Sequence, residues 1–77
     1  MHDKPERPVT HMRRVLVTRL KNLRGHCVEN VAAFRFIGAQ SDAIEAMTLL
    51  VFAEECGIIS RSQCNALWAW VRGWRVA

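Results

Sequence analysis

The sequence predicts an all-α fold: a long first helix, continuous or kinked at Gly25, then an antiparallel αα-hairpin, the small bundle being completed by dimerisation. Three observations carry this. Apolar residues recur in steps of three and four along most of the chain, which is the period of a helix face. Period-two alternation and Asn-Gly hairpin signals are missing, and β-branched residues are few. Gly57 followed by Ser60 reads as one tight turn between two helices, with a C-terminal stop and an N-cap in quick succession.

Each element follows in chain order. Residues 1–9 (MHDKPERPV) are polar, contain Pro5 and Pro8, and read as a flexible arm; residues 10–77 form a single helical domain. Thr10 is a candidate N-cap. After it, Met12, Leu16, Leu20 and Leu23 make one stripe, with Arg13, Arg14, Lys21 and Arg24 to the other side and Arg19 inside the stripe. The stripe runs on past Gly25 through Cys27, Val31 and Phe34. A helix over about 11–37 is therefore expected, one interior glycine costing about 1 kcal/mol, with a break at 25 as the alternative. The stretch 28–37 is apolar nearly all round and has to be covered on more than one side. Gly38-Ala-Gln-Ser-Asp reads as the break, with Asp42 and Glu45 as a capping box, or Ser41 in place of Asp42. The second helix, about 43–56, is the most apolar (Ile44, Met47, Leu49, Leu50, Val51, Phe52) and stops at Gly57. Ile58 and Ile59 close the turn, and Ser60 with Gln63 makes a further capping box. The last helix, about 61–75, gathers Cys64, Leu67, Trp68, Val71 and Trp74 on one face, with Trp70 at its border.

Length explains why a second copy belongs in the expectation. A 77-residue chain hides only about 60% of its unfolded surface. A first helix of this length spans roughly 40 Å at 1.5 Å per residue, whereas each hairpin arm spans roughly 20–24 Å. The hairpin cannot cover the long helix by itself.

Charge and cysteines bound the partners. Residues 1–25 carry seven cations against Asp3 and Glu6, a net +5, while residues 26–77 are −1. The basic character thus belongs to one end and suits an acidic protein surface or nucleic acid. Cys27, Cys56 and Cys64 are odd in number and widely spaced, which fits free thiols in a reducing compartment rather than a disulfide framework or a zinc site. The N-terminus is polar, and the longest apolar run, 46–53, falls short of the ~20 residues of a membrane span. A cytoplasmic protein without membrane contact, cofactor or metal is the expectation.

Catalysis finds no purchase in this pattern. There is no Gly-rich phosphate loop, no paired histidine motif and no nucleophile elbow, and Glu54 and Glu55 point about 100° apart on a helix. Two binding functions remain. In the first, Arg13, Arg14, Lys21 and Arg24 steer the encounter with a larger acidic protein, and Trp70 and Trp74, with Arg72 nearby, anchor it. Three tryptophans within residues 68–74 exceed what one small core can use. In the second, the segment 47–75 is a helix-turn-helix-like DNA reader. Ala53 and Gly57 have the spacing of that motif, and Arg61, Ser62, Gln63 and Asn65 would lead the recognition helix. The stretch 57–60 is one residue longer than that pattern, and the Glu54–Glu55 pair repels phosphate. A basic helical chain under 80 residues with no catalytic motif is similar in size and style to the small regulators and inhibitors of phages and plasmids. The first function is the expectation and the second its alternative.

Overall fold

A computed structural model of the chain describes residues 7–75. It is all-helical: α1 (Pro8–Ala32), α2 (Phe36–Glu55), α3 (Arg61–Arg72) and a closing 3-10 turn (Gly73–Arg75). The expected arm lies outside the described residues over 1–6. Beyond that the helix starts earlier than expected: Arg7 is the N-cap, Pro8 opens the first turn, and Thr10 is already inside. Proline suits that place because its missing N–H would be unpaired there anyway.

The first helix runs unbroken through Gly25. It buries Leu16, Leu20, Leu23, Cys27 and Asn30 at alternating steps of four and three. Opposite them α2 buries Ala39, Ala43, Ala46, Leu50 and Ala53 at the same spacing. Four alanines in one seam let the helices approach closely. The directions are opposed: His26 meets Asp42, Arg19 meets Glu45, and Arg13 Nε donates to the Ile58 carbonyl at 2.7 Å. From α3, the Cys64 thiol reaches the Leu50 carbonyl and Arg61 pairs with Glu54, while Val71 and Trp74 complete the core.

The break between α1 and α2 is not where the glycine suggested. The chain turns at residues 33–35, and Gly38 lies inside α2, which begins at Phe36 instead of 43. Phe34 takes the left-handed conformation with φ 60°. Its N–H bonds the Val31 carbonyl at 3.1 Å and the Arg35 N–H bonds the Asn30 carbonyl at 2.7 Å. These two bonds are the Schellman arrangement that ends a helix. A bulky residue in that conformation costs about 1–2 kcal/mol, so the turn is held by something besides local preference. The Asp42–Glu45 capping box is accordingly absent, since both residues are in mid-helix. The end of α2 repeats the Schellman pattern with the residue that favours it. Gly57 has φ 73°, its N–H bonds the Glu54 carbonyl at 3.0 Å, and the Ile58 N–H bonds the Ala53 carbonyl at 2.8 Å. Ser60 and Gln63 form the expected capping box of α3.

The earlier start makes α2 a 20-residue helix, long and apolar enough by length and composition to cross a membrane, unlike the short run measured in the sequence. Only 28% of its apolar window is buried within the chain.

Gly25 and Gly38 respond oppositely to alanine. A Cβ at Gly25 meets nothing within 4 Å, so Gly25→Ala should raise stability by about 0.5–1 kcal/mol by easing the helix entropy cost. A Cβ at Gly38 would lie 2.9 Å from Asn30 Nδ2, so Gly38→Ala should lower stability by about 1–3 kcal/mol. Urea melts followed by circular dichroism check both signs.

Candidate functional site

The most connected polar group in the described residues sits at the α1–α2 corner. Asn30 is buried, the only buried polar residue described. Its Oδ1 accepts from Arg35 Nε at 2.8 Å, and its Nδ2 donates to Asp42 Oδ2 at 2.9 Å. His26 Nδ1 lies 3.0 and 2.9 Å from the two Asp42 oxygens. A carboxylate only accepts, so this ring nitrogen carries the proton. The Asp42 side chain is 12% exposed and that of His26 65%, so the pair has a protected end and a wet end. Residues 26 and 30 are one helical turn apart on α1, and residues 38 and 42 one turn apart on α2. The glycine at 38 leaves room for the Asn30 amide between them. In the sequence Asp42 reads as a helix cap, and no spacing within either helix shows that it meets His26.

An Asp-oriented histidine is half of a nucleophile-activating arrangement. Beside His26 the groove is lined by Arg19, Asn22, Leu23 and Glu45, none of them a nucleophile that such a base activates. The pair does structural chemistry at the corner: it satisfies the second oxygen of Asp42 and orients the carboxylate towards Asn30.

The expected partner-binding cations fall together. At 3.6 residues per turn, Arg13, Arg24, Lys21 and Arg14 occupy about 100° of α1, within about 11 residues of its length. All four are exposed. Arg13, at one edge of this sector, and Val17, within it, line a groove with Gln63, Ala66 and Leu67 of α3, so the basic face borders α3. Arg19 lies apart from them and pairs with Glu45 at 3.7 Å across to α2.

The tryptophans divide. Trp74, which the sequence sets on the core face of α3 and also among the contact residues, is buried at 6% exposure. Its indole Nε1 has no hydrogen-bond partner. Trp70 stands edge-on to it, with ring centroids 5.0 Å apart, and remains exposed. Trp68 is half-buried between α3 and the outer flank of α2. Arg72 is exposed on the last turn of α3.

The candidate DNA-reading residues open α3, but two are engaged. Arg61 Nε donates to Glu54 Oε1 at 2.9 Å, and Gln63 Oε1 accepts from the Ser60 N–H at 2.9 Å. Ser62 and Asn65 are exposed. Ala53 is buried and Gly57 left-handed, as a helix-turn-helix requires of those two positions.

Two surfaces were missed in the sequence. One is the corner aromatic pair: Phe34 is 80% exposed and packs edge-on against Phe36, with centroids 6.1 Å apart. The other is the outer face of α2, where Ile37, Ile44 and Val51 are exposed seven residues apart. That spacing was there to read, but it was hidden by starting the helix at 43. Cys27 and Cys64 are buried and Cys56 is exposed. Among the described residues no three His, Cys, Asp or Glu side chains gather as a metal-ligand set.

No protein-family model, curated protein or solved structure matches this chain.

The corner network separates the roles of its members. Asp42→Ala leaves the buried Asn30 amide without its acceptor and should cost about 1–3 kcal/mol of unfolding free energy. His26→Ala removes only the exposed partner and should cost less than about 1 kcal/mol. Chemical denaturation of the two variants compares them directly.

Proposed function

We propose that this protein is a small non-enzymatic regulatory or inhibitor module that binds a larger protein through an acidic patch on that partner. The observation that carries the reading is the clustering of Arg13, Arg14, Lys21 and Arg24 on one side of α1, beside α3 and its exposed Trp70. A one-sided cationic face speeds and orients encounter with an acidic surface, and an exposed tryptophan supported by a second ring supplies a rigid anchor. The bundle, with α2 and α3 as its antiparallel hairpin, works as a homodimer. An odd number of widely spaced cysteines fits a cytoplasmic setting.

The alternative, a DNA-binding transcription regulator using the 47–75 segment, is favoured by the buried Ala53 and the left-handed Gly57. It is weakened by the Arg61–Glu54 pair, which turns the leading cation of α3 back onto a carboxylate.

The test is capture of partners from source cells by the tagged protein, quantified by mass spectrometry and repeated with Lys21→Glu/Arg24→Glu and with Trp70→Ala. Each variant should weaken the principal capture about tenfold, equivalent to about 1.4 kcal/mol. Unchanged capture by both variants overturns the reading. Salt-sensitive, sequence-selective duplex binding in a gel shift, lost in Ser62→Ala/Asn65→Ala, would replace it with the DNA reading.

A further inference from the structure

We propose that a second copy of this chain covers the outer face of α2, the two α2 helices packing antiparallel in one register. In that register Ile44 faces Thr48 of the second copy, Val51 faces Ser41, and Ile37 faces Glu55. This deepens the homodimer of the proposed function and is independent of what the basic face of α1 binds.

The geometry of α2 supplies the first argument. Its buried seam, Ala39, Ala43, Ala46, Leu50 and Ala53, is turned towards α1. Two residues further round, about 200° away, Ile37, Ser41, Ile44, Thr48, Val51 and Glu55 repeat the same four–three spacing on the opposite side. Ile37 is 84% exposed, Ile44 55% and Val51 39%. Four–three spacing is the seam by which helices pack side by side, and here one of its two alternating positions is apolar (Ile37, Ile44, Val51) and the other polar (Ser41, Thr48, Glu55).

Size selects the orientation. The large residues Ile37, Ile44 and Val51 occupy one heptad position, and the small residues Ser41 and Thr48 the other. Parallel, in-register packing would set Ile44 against Ile44 and Thr48 against Thr48, alternately crowded and hollow. The antiparallel register sets a large residue over a small one in both central layers, which fills space evenly. Thr48 tolerates burial because its hydroxyl already donates to the Ile44 carbonyl at 2.9 Å.

Charge selects the same orientation. α2 begins with Arg35 and has no side-chain cap, so its first N–H groups and dipole are positive there. It ends with Glu54 and Glu55 and no basic residue in the last turn. Antiparallel packing brings Glu55 of the second copy to the uncapped start of α2, whereas parallel packing would place Glu55 beside Glu55.

Hydroxyls at 41 and 48 and a carboxylate at 55 on the same stripe favour a protein surface over lipid.

The test uses chains carrying Cys56→Ser, since Cys56 is the exposed native thiol. One chain carries Ile44→Cys and the other Thr48→Cys; they are mixed and oxidised gently. The mixed disulfide should form at least tenfold faster than either self-disulfide. In parallel, Ile44→Glu should halve the mass found by light scattering while keeping the helical circular dichroism, because Ile44 is exposed in the single chain. A wild-type mass of one chain at high micromolar concentration overturns the proposal. So does an Ile44→Cys self-disulfide as fast as the mixed one, which means a different register. Co-sedimentation of wild-type protein with phosphatidylcholine–phosphatidylglycerol vesicles, lost in Ile44→Glu, also overturns it by assigning the face to lipid. Partner capture through Lys21, Arg24 and Trp70 reads another surface, so either idea can fail without the other.

Discussion

The buried amide of Asn30 is the constraint on which the rest of this structure depends. A primary amide in an apolar seam is costly unless its donors and acceptor are met. Here Arg35 meets the oxygen and Asp42 the nitrogen, from the turn and from the second helix respectively. Those two bonds fix where the chain reverses and set α1 against α2 along the length of the seam. Gly38 exists in that seam as space for the amide. Once residues 30, 38 and 42 are placed, Cys27 falls opposite Ala39, where its thiol reaches the carbonyl. Arg19 then falls opposite Glu45, and Arg13 opposite Ile58. The register of the core is a consequence of the polar corner.

The corner also accounts for an unfavourable backbone. Both ends that feed a turn close with the same pair of hydrogen bonds, yet one uses glycine and the other phenylalanine. At Gly57 local preference and tertiary structure agree. At Phe34 they conflict, and the Asn30 network, acting on the neighbouring Arg35, outweighs the local cost. The conflict leaves an aromatic pair projecting at the tip of the molecule, where it contributes little to the core.

The same placement decides what surface is left over. Because four of the five residues in the buried seam of α2 are alanine, the larger apolar side chains of that helix point elsewhere. α3 covers one flank through Cys64, Leu67 and Trp68, and the outer stripe stays open. Polarity is partitioned likewise: α1 presents its cations on a sector bordering α3, and its one cation on the α2 side, Arg19, pairs with Glu45. The molecule thus offers a basic face and an apolar face on different helices, which are the two surfaces that the proposed partner and the proposed second copy would use.

Much of this was legible in the sequence, and the remainder was not for identifiable reasons. The helical class, the Gly57 stop and the Ser60–Gln63 cap follow from residue period and end chemistry, which act within a few residues of one another, whereas period left a break at Gly25 open and the structure runs α1 through it. The gathering of Arg13, Arg14, Lys21 and Arg24 also followed from helical period alone. Helical period also separates Trp74, on the apolar face of α3, from Trp70 at its border, and the two are respectively buried and exposed. The turn at Phe34 was misplaced to Gly38 because a glycine states what a backbone can do, not what it is needed for. The need was set by Asn30, eight residues earlier on another helix. By itself the sequence determined the helices and their charged faces, since these are local properties of period and capping. Only the tertiary structure decided where α1 ends and which face of α2 remains uncovered. Those depend on hydrogen bonds and contacts between residues that no local pattern connects.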